Sequence, residues 1–124
     1  MDEGSVYVYQ MASVSGSKIL DFNIPPYIGN TYAQHFKTLR KKGTDIPILI
    51  QFNEYPPYTG DEFIGRLQLV GHGAIELKNI LPSDEGWYEL SILNIDDTTN
   101  SPYDTWIYLS VHSEYRRRGY DVHV

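Results

Sequence analysis

The chain has 124 residues, no cysteine, and 10 Lys+Arg against 16 Asp+Glu, for a formal net charge of −6. That length holds one domain with a core able to stand without staples, and the missing cysteines exclude disulfides, thiolate zinc sites, cysteine nucleophiles and iron–sulfur ligation. The acidic balance argues against nucleic acid as a partner, 21% charged and 41% hydrophobic residues fit a folded globule, and no apolar run reaches the ~18 residues of a spanning helix, so membrane insertion is not expected.

The start, Met1-Asp2-Glu3-Gly4, is acidic and lacks the basic-then-apolar pattern of a secretion signal. It reads as a short extension over 1–4, on a cytosolic chain or on a mature region made recombinantly behind its own Met. Strand signals follow. Ser5 to Met11 is β-branched and aromatic. Lys18 to Ile24 alternates, with Leu20, Phe22 and Ile24 on one face. Pro25-Pro26 and Gly29-Asn30 mark a loop, and Gln34 to Lys41 is a polar-rich strand ending at Lys42-Gly43. Ile46 to Phe52 is the next strand, and Tyr55-Pro56-Pro57-Tyr58-Thr59-Gly60 reads as a loop. Phe63 to Val70, Ala74 to Ile80, Trp87 to Ile95 and Thr105 to His112 complete eight strands, punctuated by Pro82, Gly86 and Pro102. No segment holds a capped 3.6-residue period. The pattern predicts an all-β sandwich or barrel over 5–112. The charged end, 113–124, is expected to be a poorly ordered or tag-like tail. Eleven tyrosines suit strands with one apolar and one wet side, and so a recognition face.

The most specific pattern is Ile75-x-Leu77-x-x-Ile80-x-x-x-Asp84-x-Gly86-x-Tyr88-x-Leu90. It resembles the E-to-F signature of variable-type immunoglobulin domains. In that family, Gly86 would open the corner, Tyr88 would be the tyrosine corner two residues before the second cysteine, and Asp84 would pair with Arg66. The run Asp45 to Phe52, Tyr55-Pro56, Gly65-Arg66, Ser83 to Glu89 and Thr105-Trp106 is similar to the first immunoglobulin domain of the Turtle family of neuronal adhesion proteins. The resemblance implies an immunoglobulin-like variable-type β-sandwich with Greek-key topology, an extracellular cell-surface setting, and adhesion as the activity.

The departures are informative. The family's two disulfide positions are Phe22 and Leu90, 68 residues apart, and its core tryptophan falls on Phe36 or Leu39. Losing a crosslink across so long a loop costs about 4 kcal/mol. Two buried large side chains return about 1.5–3 kcal/mol each. No Asn-x-Ser/Thr acceptor is present, since Pro102 takes the hydroxyl position after Asn100. Together these point to a redesigned or engineered, disulfide-free domain. The other reading is a natural domain that dispensed with its disulfide.

Catalysis finds little support. His35, His72, His112 and His123 have no short metal spacing, although His35 and His112 could meet across strands. Asp61-Glu62 and Asp96-Asp97 are loop clusters of the kind water usually solvates. No phosphate loop or nucleophile elbow exists, so no enzyme activity and no cofactor are expected. Arg116 to Arg118 are too few for a nucleic-acid patch. The terminal Asp121-Val122-His123-Val124 matches only a short, common peptide-recognition pattern. The stronger candidate is the face that variable-type domains build from strands G, F, C and C′. Its expected residues are Gln51, Tyr55, Tyr58, Trp87, Glu89, Ser91, Leu93, Trp106, Tyr108 and Ser110. Exposed Tyr and Trp with little Lys compose a protein–protein interface. The expected partner is a second copy, as a homodimer, or another cell-surface protein.

Overall fold

The computed structural model describes residues 7–25, 35–44, 46–53, 55–71, 73–94 and 103–112. The expected extension at 1–4 and tail at 113–124 lie outside these residues, as do His72, His123, Asp96-Asp97 and Arg116 to Arg118. Among the described residues there are nine strands: β1 (Tyr7–Ser13), β2 (Lys18–Asp21), β3 (His35–Lys41), β4 (Leu49–Phe52), β5 (Tyr58–Thr59), β6 (Leu67–Gly71), β7 (Ala74–Leu77), β8 (Gly86–Asn94) and β9 (Tyr103–His112). They form two layers. One sheet has the order β1-β9-β8-β3-β4-β5 and the other β2-β7-β6. β1 runs parallel to β9, and every other pairing is antiparallel.

The strand count departs from the expected eight because Tyr58–Thr59 pairs with Leu49 and Ile50 inside the segment read as a loop. Two residues between prolines and a glycine carry no alternation to read. Several strands are also shorter than their apolar runs. Asn23 and Asn79 adopt φ of 59° and 50°, which ends β2 and β7 early. Asp61–Phe63 forms a 3₁₀ turn that buries Phe63, so the next strand begins only at Leu67.

The core sits between the layers. Leu20, Ile75 and Leu77 from the smaller sheet, with Phe22 just past the end of β2, meet Leu39, Leu49, Leu90 and Ile107 from the larger one. At its centre Leu39 pairs in register with Leu90, and both are fully buried, with Phe22 at 2% exposure. The central aromatic position therefore falls on Leu39. Phe36 has the opposite strand parity, is half-buried, and pairs with Leu93 on the outer face. Two of the three buried positions of β3 are polar, His35 and Lys37. This disguised the register in the sequence.

Two glycines are required by geometry. Gly73 has φ +73°, and a Cβ there would lie 2.4 Å from Ile24 Cγ1. Gly86 has φ +143° where the chain turns into β8. The corner behind it is tied by three groups. Tyr88 donates its hydroxyl to the Asp84 carbonyl at 2.5 Å. The Asp84 carboxylate accepts from the Leu81 N–H at 2.8 Å and pairs with the Arg66 guanidinium. Arg66 also donates to the backbone carbonyls of Glu62 at 2.9 Å and Lys78 at 3.3 Å. Burial, and then the Asp84 charge, push the Tyr88 hydroxyl well above the ordinary tyrosine range, with Arg66 opposing them.

Candidate interaction face

Strand pairing decides which side chains share a face, because residues opposite each other in a ladder point the same way. Leu39, Leu49, Leu90 and Ile107 point inward, so their neighbours in each strand point out. The outer face of the six-stranded sheet thus carries Tyr9 and Met11 from β1, and Trp106 and Tyr108 from β9. β8 adds Trp87, Glu89, Ser91 and Leu93, and β3 adds Phe36, Thr38 and Arg40. Ile50 and Phe52 from β4 and Tyr58 from β5 complete it.

The rings are in contact. Tyr9 stacks on Tyr108 with centroids 5.7 Å apart. Trp87 meets Tyr108 edge-to-face at 5.0 Å and Trp106 at 6.4 Å. Four aromatic side chains from three neighbouring strands thus form one continuous run. Such ring pairs each add roughly 0.5–1.5 kcal/mol beyond buried area. At the far side of the sheet Phe52 stacks on Tyr55 at 6.1 Å. Tyr9, Tyr55 and Tyr58 are each more than half exposed.

Charge is confined to the middle of this face. Arg40 and Glu89 are opposite one another in the ladder, as are Ser91 and Asp104. The Ser91 hydroxyl donates to the Asp104 carboxylate at 2.6 Å. Burial, and then the Asp104 charge, hold the Glu89 carboxyl above the usual carboxylate range, with Arg40 opposing them.

Two expected members of the face have other surroundings. Gln51 pairs with Lys37 and so shares the inward side with Leu49. It is 7% exposed, and its amide donates to the Tyr55 carbonyl at 2.9 Å, so it is a loop anchor. Ser110 has outward parity but is buried, with its hydroxyl 3.1 Å from His112 Nε2. The expected approach of His35 and His112 does not occur. His35 pairs with Asn94 at one end of the sheet, whereas His112 closes β9 at the end where β8 begins. Tyr9, Phe36 and Phe52 were not expected on the face. The alternation of Tyr7, Tyr9 and Met11 carried the first. The other two depended on the register of β3 and β4.

Asp61 and Glu62 are exposed at the rim of a cleft of about 460 Å³, floored by Ile48 and Phe63. Among the described residues no cluster of three metal-ligating side chains occurs, and no helix is long and apolar enough to cross a membrane.

No family model matches the chain. Protein turtle homolog B of Rattus norvegicus is 30% identical over 90 residues, covering 72% of this chain. Protein turtle of Drosophila melanogaster is 32% identical over 95 residues, covering 71%. The chain spans only 6% of the length of either relative. Among solved structures, the V domain of amphioxus IgVJ-C2 superposes with a TM-score of 0.63 at 20% identity, covering 86% of this chain and 98% of that one. The extracellular domain of the voltage-gated sodium channel β4 subunit gives 0.60 at 19% identity, covering 92% and 99%. That domain is described as forming parallel homodimers that explain a role in cell–cell adhesion.

Proposed function

The chain is an immunoglobulin-superfamily domain of the variable type that resembles the Turtle proteins, and from that premise we propose that it is a recognition module of the cell-surface adhesion kind, with no catalytic step. The outer face of the six-stranded sheet is its working surface. The observation that carries this reading is the run Tyr9–Tyr108–Trp87–Trp106, which presents aromatic side chains with few charges around them. Aromatic clusters with depleted Lys and Asp mark the centres of protein interfaces. The partner is a second copy of this chain, docked face to face. Arg40 beside Glu89 makes that docking self-complementary, because a two-fold axis between them sets each arginine over the other copy's glutamate. Exposure of this face outside the cell, as the resemblance implies, completes the reading.

Beads coated with the domain should cluster, and Tyr108→Glu should abolish both the clustering and the face-to-face part of the self-association seen by analytical ultracentrifugation. A parent that stays dispersed and monomeric at high concentration would overturn the homophilic reading. One further observation favours a second reading. Phe22, Leu39 and Leu90 together occupy the places where such domains keep their disulfide and tryptophan. This is the pattern of an engineered, disulfide-free scaffold whose core was refilled to native density and which binds nothing. Dispersed beads, with no binding to other cell-surface proteins, are its expected result.

A further inference from the structure

The outer edge of β1 is the feature that the face-to-face reading leaves unused. Among the described residues β1 pairs with β9 along one side only, over all seven residues from Tyr7 to Ser13. Among the described residues, no strand lies beside the alternate backbone N–H and C=O groups on its other side. Edges of this kind are normally guarded by lysine, proline, a bulge or brevity. β1 has none of these. It is seven residues long, regular in register, and carries no charged residue in a chain of net charge −6. By contrast the opposite edge of the same sheet, β5, is two residues long and flanked by Pro57 and Gly60.

The side chains of β1 are also those of an interface. Val8 is 42% exposed, Tyr9 57% and Met11 53%. Two acidic bodies approach each other at least cost where neither presents charge. An antiparallel edge is complementary to itself under two-fold rotation.

We propose that β1 is a self-association edge at which a second copy of this chain adds antiparallel, giving one sheet that runs through both domains. With the two-fold axis at the central residue, Gln10, Tyr9 of each copy faces the other copy's Met11 on the outer side. Val8 faces Ala12 on the inner side. Tyrosine against methionine is a favourable sulfur–aromatic contact. Each Tyr9 already stacks on Tyr108, so the aromatic run of one copy continues into that of the other. The pairing leaves both outer faces open and side by side. It is therefore independent of face-to-face docking and would make a bivalent unit for it. A single-strand junction belongs with the small, weak interfaces below about 1,200 Å².

The test is sedimentation of the full chain over a wide concentration range, with three variants, and a fourth variant that traps the pair covalently. Met11→Lys sets two like charges beside the junction and should weaken dimerisation at least about tenfold, or 1.4 kcal/mol. Met11→Leu should leave dimerisation near the parent's. Thr38→Glu, on the outer face and three strands from β1, removes face-to-face docking alone and should leave the edge pairing, read from the oxidised Gln10→Cys dimer, unchanged. Because the chain has no cysteine, Gln10→Cys introduces a unique thiol. Opposed residues of an antiparallel pair have Cα atoms about 4.5–5.5 Å apart, within disulfide reach, so mild oxidation should yield a covalent dimer. Association lost with Thr38→Glu but kept with Met11→Lys would overturn the edge and leave the face-to-face reading standing. A monomeric parent whose Gln10→Cys variant forms no covalent dimer would overturn the edge outright.

Discussion

Removing the carboxylate of Asp84 tests the logic of the corner that positions β8. Asp84 is 2% exposed, and its carboxylate serves both the Arg66 guanidinium and the Leu81 N–H. Asp84→Ala strands a cation whose side chain is only 13% exposed. Breaking one side of a buried pair costs about 3–5 kcal/mol. The lower end applies here, because Arg66 keeps its bonds to the Glu62 and Lys78 carbonyls. Arg66→Met should cost a similar amount by leaving the carboxylate buried without its cation. The double variant, with neither charge, should be destabilised by clearly less than the sum, with a coupling of roughly 2 kcal/mol inside the 0.5–3 expected of contacting residues. Urea unfolding followed by Trp87 and Trp106 fluorescence gives all four corners of the cycle. Against a total of about 5–15 kcal/mol each single variant remains foldable. Additivity within about 0.5 kcal/mol would refute the reasoning, since the pair would then behave as two independent surface groups.

Two further predictions address the core and the outer face. Leu90→Ala should lower stability by about 2–5 kcal/mol as a buried truncation, whereas Phe36→Ala, on the half-buried outer side, should cost clearly less. Equal denaturant midpoints for the two variants would mean that the centre of the core has been misplaced. Glu89 is raised by burial and Asp104, so its protonated form favours the fold. Its contribution is complete below the unfolded value of about 4.3 and is lost as pH climbs through the higher folded value. Glu89→Gln should therefore flatten the fall in stability between those two values and leave the variant more stable than the parent at neutral pH. A parallel pair of pH–stability curves would contradict the shift.

The sequence was legible where period and corner chemistry were strong. The alternation from Leu20 to Ile24 and the spacing Asp84-x-Gly86-x-Tyr88-x-Leu90 fixed the inward residues of β2 and β8. The structure places these around one core, tied by the Tyr88 hydroxyl and the Arg66–Asp84 pair. Legibility failed at β3 and β4. Polar His35, Lys37 and Gln51 take inward positions there beside Leu39 and Leu49, so polarity gave the wrong parity for Gln51 and left Phe36 and Leu39 tied. A one-residue change of parity exchanges the faces of a strand, and this error propagated straight into the expected interface. The 3₁₀ turn at Asp61–Phe63 and the strand Tyr58–Thr59 were too short to leave a periodic trace.

The lack of a crosslink between Phe22 and Leu90 has a mechanical consequence. Because β1 and β9 run parallel, tension applied at the two chain ends loads their seven paired residues in shear, so the ladder must yield together rather than peel bond by bond. A disulfide between positions 22 and 90 would then hold the 67 intervening residues slack inside a covalent loop. In this chain nothing withholds them. Once the β1–β9 clamp gives way, that segment alone can pay out to roughly 220–245 Å at 3.3–3.6 Å per residue. Under load the domain is a single-stage fuse with a long extension, and its compliance does not depend on the redox state of its surroundings.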